Sequence, residues 1–132
     1  IVNVKFLPRV SSKNVSRYLN SADALLVHLK KHPLFEITIP SKIFSYLRTS
    51  KPILCGLSGN AAELIRNADA GVSFEPDNSN EFCEAVFKLI ENVDRTELVL
   101  FRGGRQYYEN NLSVEIATER FTQIFNNLTK RK

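Results

Sequence analysis

Three short apolar runs, "ADALLVHL" at residues 22–29, "KPILC" at 51–55 and "GVSFEP" at 71–76, are separated by stretches with helical spacing. This alternation constrains the chain more than any other feature. A run that is apolar at nearly every position suits a strand buried on both faces. Strands separated by helix-length segments do not join as hairpins; they run parallel, with a helix in each crossover. A fourth run opens the chain. In "IVNVKFL", Val2, Val4 and Phe6 alternate with other partners, which predicts a strand from the first residue.

The helices between these runs have readable boundaries. "SSKNVSRYLNSA" offers serines for an N-cap and sets Val15, Leu19 and Ala22 on one face. Asn60 with Glu63 and Asn78 with Glu81 have capping-box spacing. The first precedes Leu64 and Ile65; the second precedes Phe82, Val86, Leu89 and Val93 at helical intervals. Two more helices are predicted beyond, the last with Ala117, Phe121, Ile124 and Leu128 on a single stripe. At 132 residues the chain has room for one compact domain. The predicted class is α/β: a three-layer, Rossmann-like parallel sheet followed by carboxy-terminal helices.

Such sheets bind ligands outside the carboxyl ends of their strands. That edge comprises the loops 7–12, 29–41 and 56–60. The helix predicted from Pro40 rises from the second loop. Its first backbone N–H groups lack intrahelical acceptors and carry a partial positive charge, a natural seat for phosphate.

Composition adds little to this. Lys and Arg total 18 against 14 Asp and Glu, a net charge of +4, and part of the excess sits in the terminal "TKRK". That balance suits an anionic ligand without requiring one. No catalytic set assembles. His28 and His32 have no nucleophile pattern beside them and read as structural or solvated. Cys55 and Cys83 show no metal spacing, and no bond between them is expected. "GLSGN" matches neither a phosphate-binding loop nor a dinucleotide fingerprint. "RGGR" at 102–105 has no aromatic platform beside it, so nucleic acid is not an expected partner. No run approaches the roughly 18 apolar residues of a membrane span. With no leader in view and thiols read as reduced, the expected location is cytoplasmic. The strand-like first residues and the absence of methionine suggest a part of something longer.

At "TIPSKIFSYLRTSKPIL" the chain resembles the donor-binding half of GT-B glycosyltransferases, particularly bacterial enzymes of polysaccharide biosynthesis. That family's wording is close to PSK-x-x-E-Y-L-A-x-G-K-P-I, and Pro40, Ser41, Lys42, Tyr46, Leu47, Lys51, Pro52 and Ile53 stand at matching places. "NVKFLPRVS" is similar to the family's strand leading to the base-contacting loop. "SRYLNSADALLV" is similar to its Y-x-x-A-D-x-x-L segment, through Tyr18, Ala22 and Asp23. "AAELIRNADAGVSFEPDNSNEF" is similar to the segment that follows. The four motifs stand in the family's order across about residues 2–92.

The resemblance implies a transferase that moves a sugar from a nucleotide-sugar, with UDP as the expected nucleotide, to a lipid-linked or saccharide acceptor. It implies donor contacts at Arg9 and Val10 by the base, and at Pro40, Ser41 and Lys42 by the diphosphate. The family's ribose-gripping Glu is replaced here by Ser45, and its usual partner eight positions earlier by Ile37, with Glu36 next door. A serine cannot offer two acceptor oxygens to a ribose diol. No metal or other cofactor is implied, and no catalytic base is assigned. The family has two strand–helix units ahead of the one at Ile1 and an acceptor domain ahead of those. Residues 1–132 are therefore expected to be a single, truncated donor-binding domain, inactive alone. It would lack its upstream partner domain, be open to self-association at its first strand, and work in the cytoplasm or at the inner membrane face. Two other readings remain at this point: a nucleotide-sugar epimerase of the same fold, and a non-catalytic α/β binding or assembly module.

Overall fold

The computed structural model describes residues 3–93, 101 and 103–129. In chain order the elements are α1 (Ser12–Ser21), β1 (Leu25–His28), α2 (Pro33–Glu36), α3 (Lys42–Leu47), β2 (Ile53–Gly56), α4 (Asn60–Asn67), β3 (Gly71–Ser73), α5 (Ser79–Val93), α6 (Gly103–Asn111) and α7 (Val114–Thr129). The strands form a three-stranded sheet in the order β1-β2-β3, parallel throughout. The register pairs Leu25 with Ile53 and Val27 with Cys55, then Ile53 with Gly71. The α/β class with helices on a parallel sheet is what the alternating runs require.

Strand side chains alternate between faces, so the sheet builds two cores. On one face Val27, Ile53 and Cys55 pack with Ile43 and Leu47 of α3 and with Ala61, Leu64 and Ile65 of α4. On the other, Leu54 and Phe74 pack with Ala85 and Leu89 of α5. Helices on both faces make the three layers. In α4 the buried positions Ala61, Leu64, Ile65 and Ala68 follow the three- and four-residue steps of one helical face. The helix ends in a left-handed residue, Asp69 at φ 45°. Its amide bonds Arg66 O, and the Ala70 amide bonds Ile65 O, a Schellman closure that turns the chain straight into β3. Near Arg102–Arg105, with Arg102 outside the described residues, helix α6 starts at Gly103. There Gly104 is buried close against Leu47.

The chain's beginning departs from expectation. Ile1 and Val2 lie outside the described residues, but residues 4–10 form no strand, and Phe6 is 92% exposed. Alternation of side chains is necessary for a strand and not sufficient; the backbone also needs a ladder to join. Among the described residues no strand lies along the edge of β1 away from β2. There the Leu26 carbonyl accepts instead from the Tyr46 hydroxyl at 3.4 Å. Burial raises the Tyr46 pKa above that of a free phenol. Helix α1 forms where predicted, yet it buries no residue completely. Helix α7 also forms, but its stripe faces outward: Phe121, Ile124 and Leu128 are all exposed.

Both thiols are free, Cys55 buried in β2 and Cys83 exposed on α5. Burial pushes the Cys55 thiol up to about 11, with hydrogen bonds to Ser73 and Leu57 opposing the rise in part. At pH 8 a maleimide should therefore label the native chain at Cys83 alone and reach Cys55 only in denaturant; native labelling of both would show β2 opening freely. A pKa raised by folding stabilises the native state below the unfolded thiol's pKa. That contribution is lost as pH rises from about 9 toward 11.

Candidate functional site

The loop from the end of β1 to α3 is built more firmly than its length suggests. Pro33 opens α2, where its fixed φ and missing N–H cost nothing. His32 caps that helix, its Nδ1 accepting from the Leu34 amide at 3.1 Å. The Thr38 hydroxyl donates to Leu34 O at 2.6 Å and closes the other end. Glu36 is exposed on the last residue of α2.

Two neighbouring loops hold this segment. From the end of β2, Gly59 comes so close that a Cβ there would overlap the backbone of Glu36. The Asn60 side-chain amide donates to Ile37 O at 3.3 Å. Asn60 was expected to cap α4, but Gly59 holds the N-cap position at φ 65° and the Asn60 side chain bonds across to the other loop. From the end of β3, Asp77 Oδ2 accepts from the Lys31 amide at 2.8 Å, and the Asp77 amide donates to His28 Nε2 at 3.2 Å. Lys31 Nζ also pairs with Glu75 at 3.4 Å. Half of the expected box ahead of α5 is present: Asn78 Oδ1 accepts from the Glu81 amide at 3.2 Å, while the Asn78 backbone amide donates to Glu75 O and not to the Glu81 side chain. Glu81 itself accepts from the Glu75 amide at 2.8 Å and from the Asn78 side chain at 2.8 Å.

Helix α3 buries Ile43 and Leu47, one turn apart. Ser41, Lys42 and Ser45 are exposed, and Pro40 is half-buried. Ser41 is already helical at φ −58° and ψ −25° and makes no side-chain cap. The Ile43 amide donates to Pro40 O at 3.0 Å and the Phe44 amide to Ser41 O at 3.2 Å. Tight first turns of this kind take up two of the amides expected to face an anion. Among the described residues, nothing accepts from the amides of Ser41 and Lys42, and no carboxylate pairs with the Lys42 ammonium.

Arg9 is exposed and Val10 half-buried, in the irregular stretch before α1. Their expected place rested on a strand ending just before them, and residues 4–10 supply none. The order β1-β2-β3 also contains no reversal, the point at which a doubly wound sheet opens its crevice. Two grooves border the carboxyl edge. One, of about 330 Å³, lies among Leu26, His28, Phe74, Asp77 and Phe82. The other, of about 480 Å³, is lined by Ser58, Asn60, Glu63, Arg66 and Glu81, among others. Among the described residues no group of three His, Cys, Asp or Glu side chains could hold a metal ion. No helix among them is long and apolar enough to cross a membrane.

The roles of His28, Asp77, Gly59 and Asn60 were not foreseen from the sequence. Each acts on a segment distant along the chain. The nearest signals were the turn-forming "PDN" at 76–78 and the glycines of "GLSGN".

Comparison with known proteins agrees with this architecture. The family model described as "Glycosyl transferases group 1" matches residues 2–92. No curated protein and no solved structure matches the chain. The match takes in the whole sheet and the start of α3, and the chain belongs to the glycosyl transferases group 1 family.

Proposed function

We propose that this chain is the donor-binding part of a glycosyltransferase that moves a sugar from a UDP-sugar to a lipid-linked or saccharide acceptor, as polysaccharide-building enzymes do. The observation that carries this reading is the start of α3 within a family-matched segment: the Ser41 and Lys42 amides lack acceptors among the described residues, and the Lys42 ammonium is exposed beside them. The helix-end partial charge and the ammonium together suit a diphosphate. As the glycosidic bond to the sugar breaks, negative charge grows on the leaving diphosphate. Fixed donors aimed at that charge lower the barrier without a metal ion. Pro40 fixes the entry to the helix, Ser45 and Glu36 are assigned to the ribose, and Arg9 and Val10 are assigned to the base on the family resemblance alone, since no strand among the described residues ends before them. The catalytic base is assigned to no residue here. In this reading the chain forms one wall of a two-domain cleft, binds without turning over, and works on the cytoplasmic side, at the inner membrane face where a lipid-linked acceptor would lie. The open edge of β1 is the place for a partner strand, from an upstream domain or from a second copy.

Calorimetric titration with UDP tests the site. The expected dissociation constant is on the order of 1 mM, or about −4 kcal/mol. EDTA should leave it unchanged. Lys42→Ala should weaken binding by roughly threefold to fivefold, the scale of one exposed charge contact. Absence of saturable binding, or equal affinity in the variant, would refute the assignment.

A further inference from the structure

Asp77 combines two properties that residues in a simple turn do not share. Its backbone is left-handed, at φ 62°, a conformation that Asp, Asn and Gly reach more readily than other residues. Its two functional ends then reach a different part of the chain. The carboxylate accepts from the Lys31 amide at 2.8 Å, and its own amide donates to His28 Nε2 at 3.2 Å. An accepting Nε2 places the proton of the neutral ring on Nδ1. The His28 ring lies parallel to Phe74, 8° between planes, which holds it in that orientation. The second carboxylate oxygen is 3.8 Å from His28 Nε2, too long for a hydrogen bond. Lys31 is tied a second time, through Nζ to Glu75 on the same turn.

His28 and Lys31 bracket the point where β1 ends and the loop toward α3 begins. The far part of that loop is held by Gly59 and Asn60 against Glu36 and Ile37. The loop is thus fastened at its root by the turn after β3 and near its tip by the turn after β2. Ile43 and Leu47 hold α3 itself in the core, and the segment leading to its start is held by these two turns.

We propose that Asp77 is a positioning residue for the donor loop: its carboxylate fixes the Lys31 amide and so sets the path of residues 31–41 to the start of α3. This rests on the reading of α3 as the diphosphate site. The side-chain requirement is separable from the backbone one. Asp77→Gly keeps the left-handed turn at no steric cost and removes the acceptor. Asp77→Asn keeps the turn and an acceptor oxygen, and loses only the charge.

The test is amide hydrogen exchange by NMR on the full chain and both variants, with UDP titration alongside. In Asp77→Gly the amides of residues 31–41, Pro33 and Pro40 having none, should exchange about tenfold faster, with the Lys31 amide most affected, while those of β2 stay unchanged. UDP affinity should fall by about the same factor. Asp77→Asn should restore most of both. Equal exchange in the parent and Asp77→Gly would overturn the positioning role. Equal loosening in the Gly and Asn variants would also overturn it, because the acceptor would then be irrelevant. A loosened loop with undiminished UDP affinity would sever Asp77 from donor binding. A parent chain that binds no UDP would instead refute the donor site itself, whatever the exchange shows.

Discussion

Gly59→Ala should destabilise the chain by roughly 2–6 kcal/mol and weaken UDP binding by at least about tenfold. Two independent costs meet at this position. The backbone sits at φ 65° and ψ −139°, a region that is essentially glycine's alone and costs an alanine about 1–3 kcal/mol. The same Cβ would also overlap the carbonyl, carbonyl carbon and Cα of Glu36. That neighbour is main chain and cannot swing away as a side chain can, so either the turn after β2 or the loop carrying Glu36 has to shift. Overpacking of this kind adds about 1–3 kcal/mol. A shift would also pull the Asn60 side chain from Ile37 O and move the approach to α3. Chemical denaturation measures the first effect and calorimetry the second. An alanine variant with parental stability would mean that the two loops are less closely packed than they stand here.

Leu47→Ala should cost about 2–5 kcal/mol, the range for truncating a fully buried leucine. Leu47 is 1% exposed and belongs to the core beneath the sheet, and it presses on Gly104 of α6. Its loss would loosen α3 from both. Against a total stability of about 5–15 kcal/mol, that is a large fraction. Phe121→Ser on α7 provides the contrast. It removes a larger apolar side chain, yet Phe121 is 62% exposed and the expected change is within about 0.5 kcal/mol. Urea titration of the two variants decides the matter. A strongly destabilised Phe121→Ser would show the α7 stripe to be covered in solution.

That pair of residues also marks how far the sequence could be read. Leu47 and Phe121 both sit in helical patterns of apolar residues, and the pattern says which face is apolar without saying what covers it. Strand β2, α4 and α5 were legible because their apolar pattern and their burial coincide. Strands β1 and β3 were legible as strands, but β1 is buried only at alternate residues, with Leu26 and His28 exposed, and β3 is half-buried, because no further layer covers those positions among the described residues. The opening "IVNVKFL" was misread because alternation registers side chains and not the missing hydrogen-bonding neighbour. The Asn78 cap was legible because its partner Glu81 is three residues away; Asn60 was not, because its partner Ile37 lies on another loop. At the site, Pro40, Ser41 and Lys42 could be picked out by motif. The supports that hold them, His28 with Asp77 and Gly59 with Glu36, join segments far apart in the chain, and local spacing carries no trace of them.

The strand order has a consequence for how the chain acquires its shape. Because β1, β2 and β3 are neighbours in the order of synthesis, β2 and then β3 each emerge from a ribosome to find the preceding strand already made. Among the described strands none waits for a distant mate, and each loop is closed by the pairing that follows it, so the closures are shorter than a shuffled strand order would require. The residues that fasten the Pro40 segment, Gly59 and then Asp77, come after it in that sequence of events. The segment is therefore laid down first and fixed in place last.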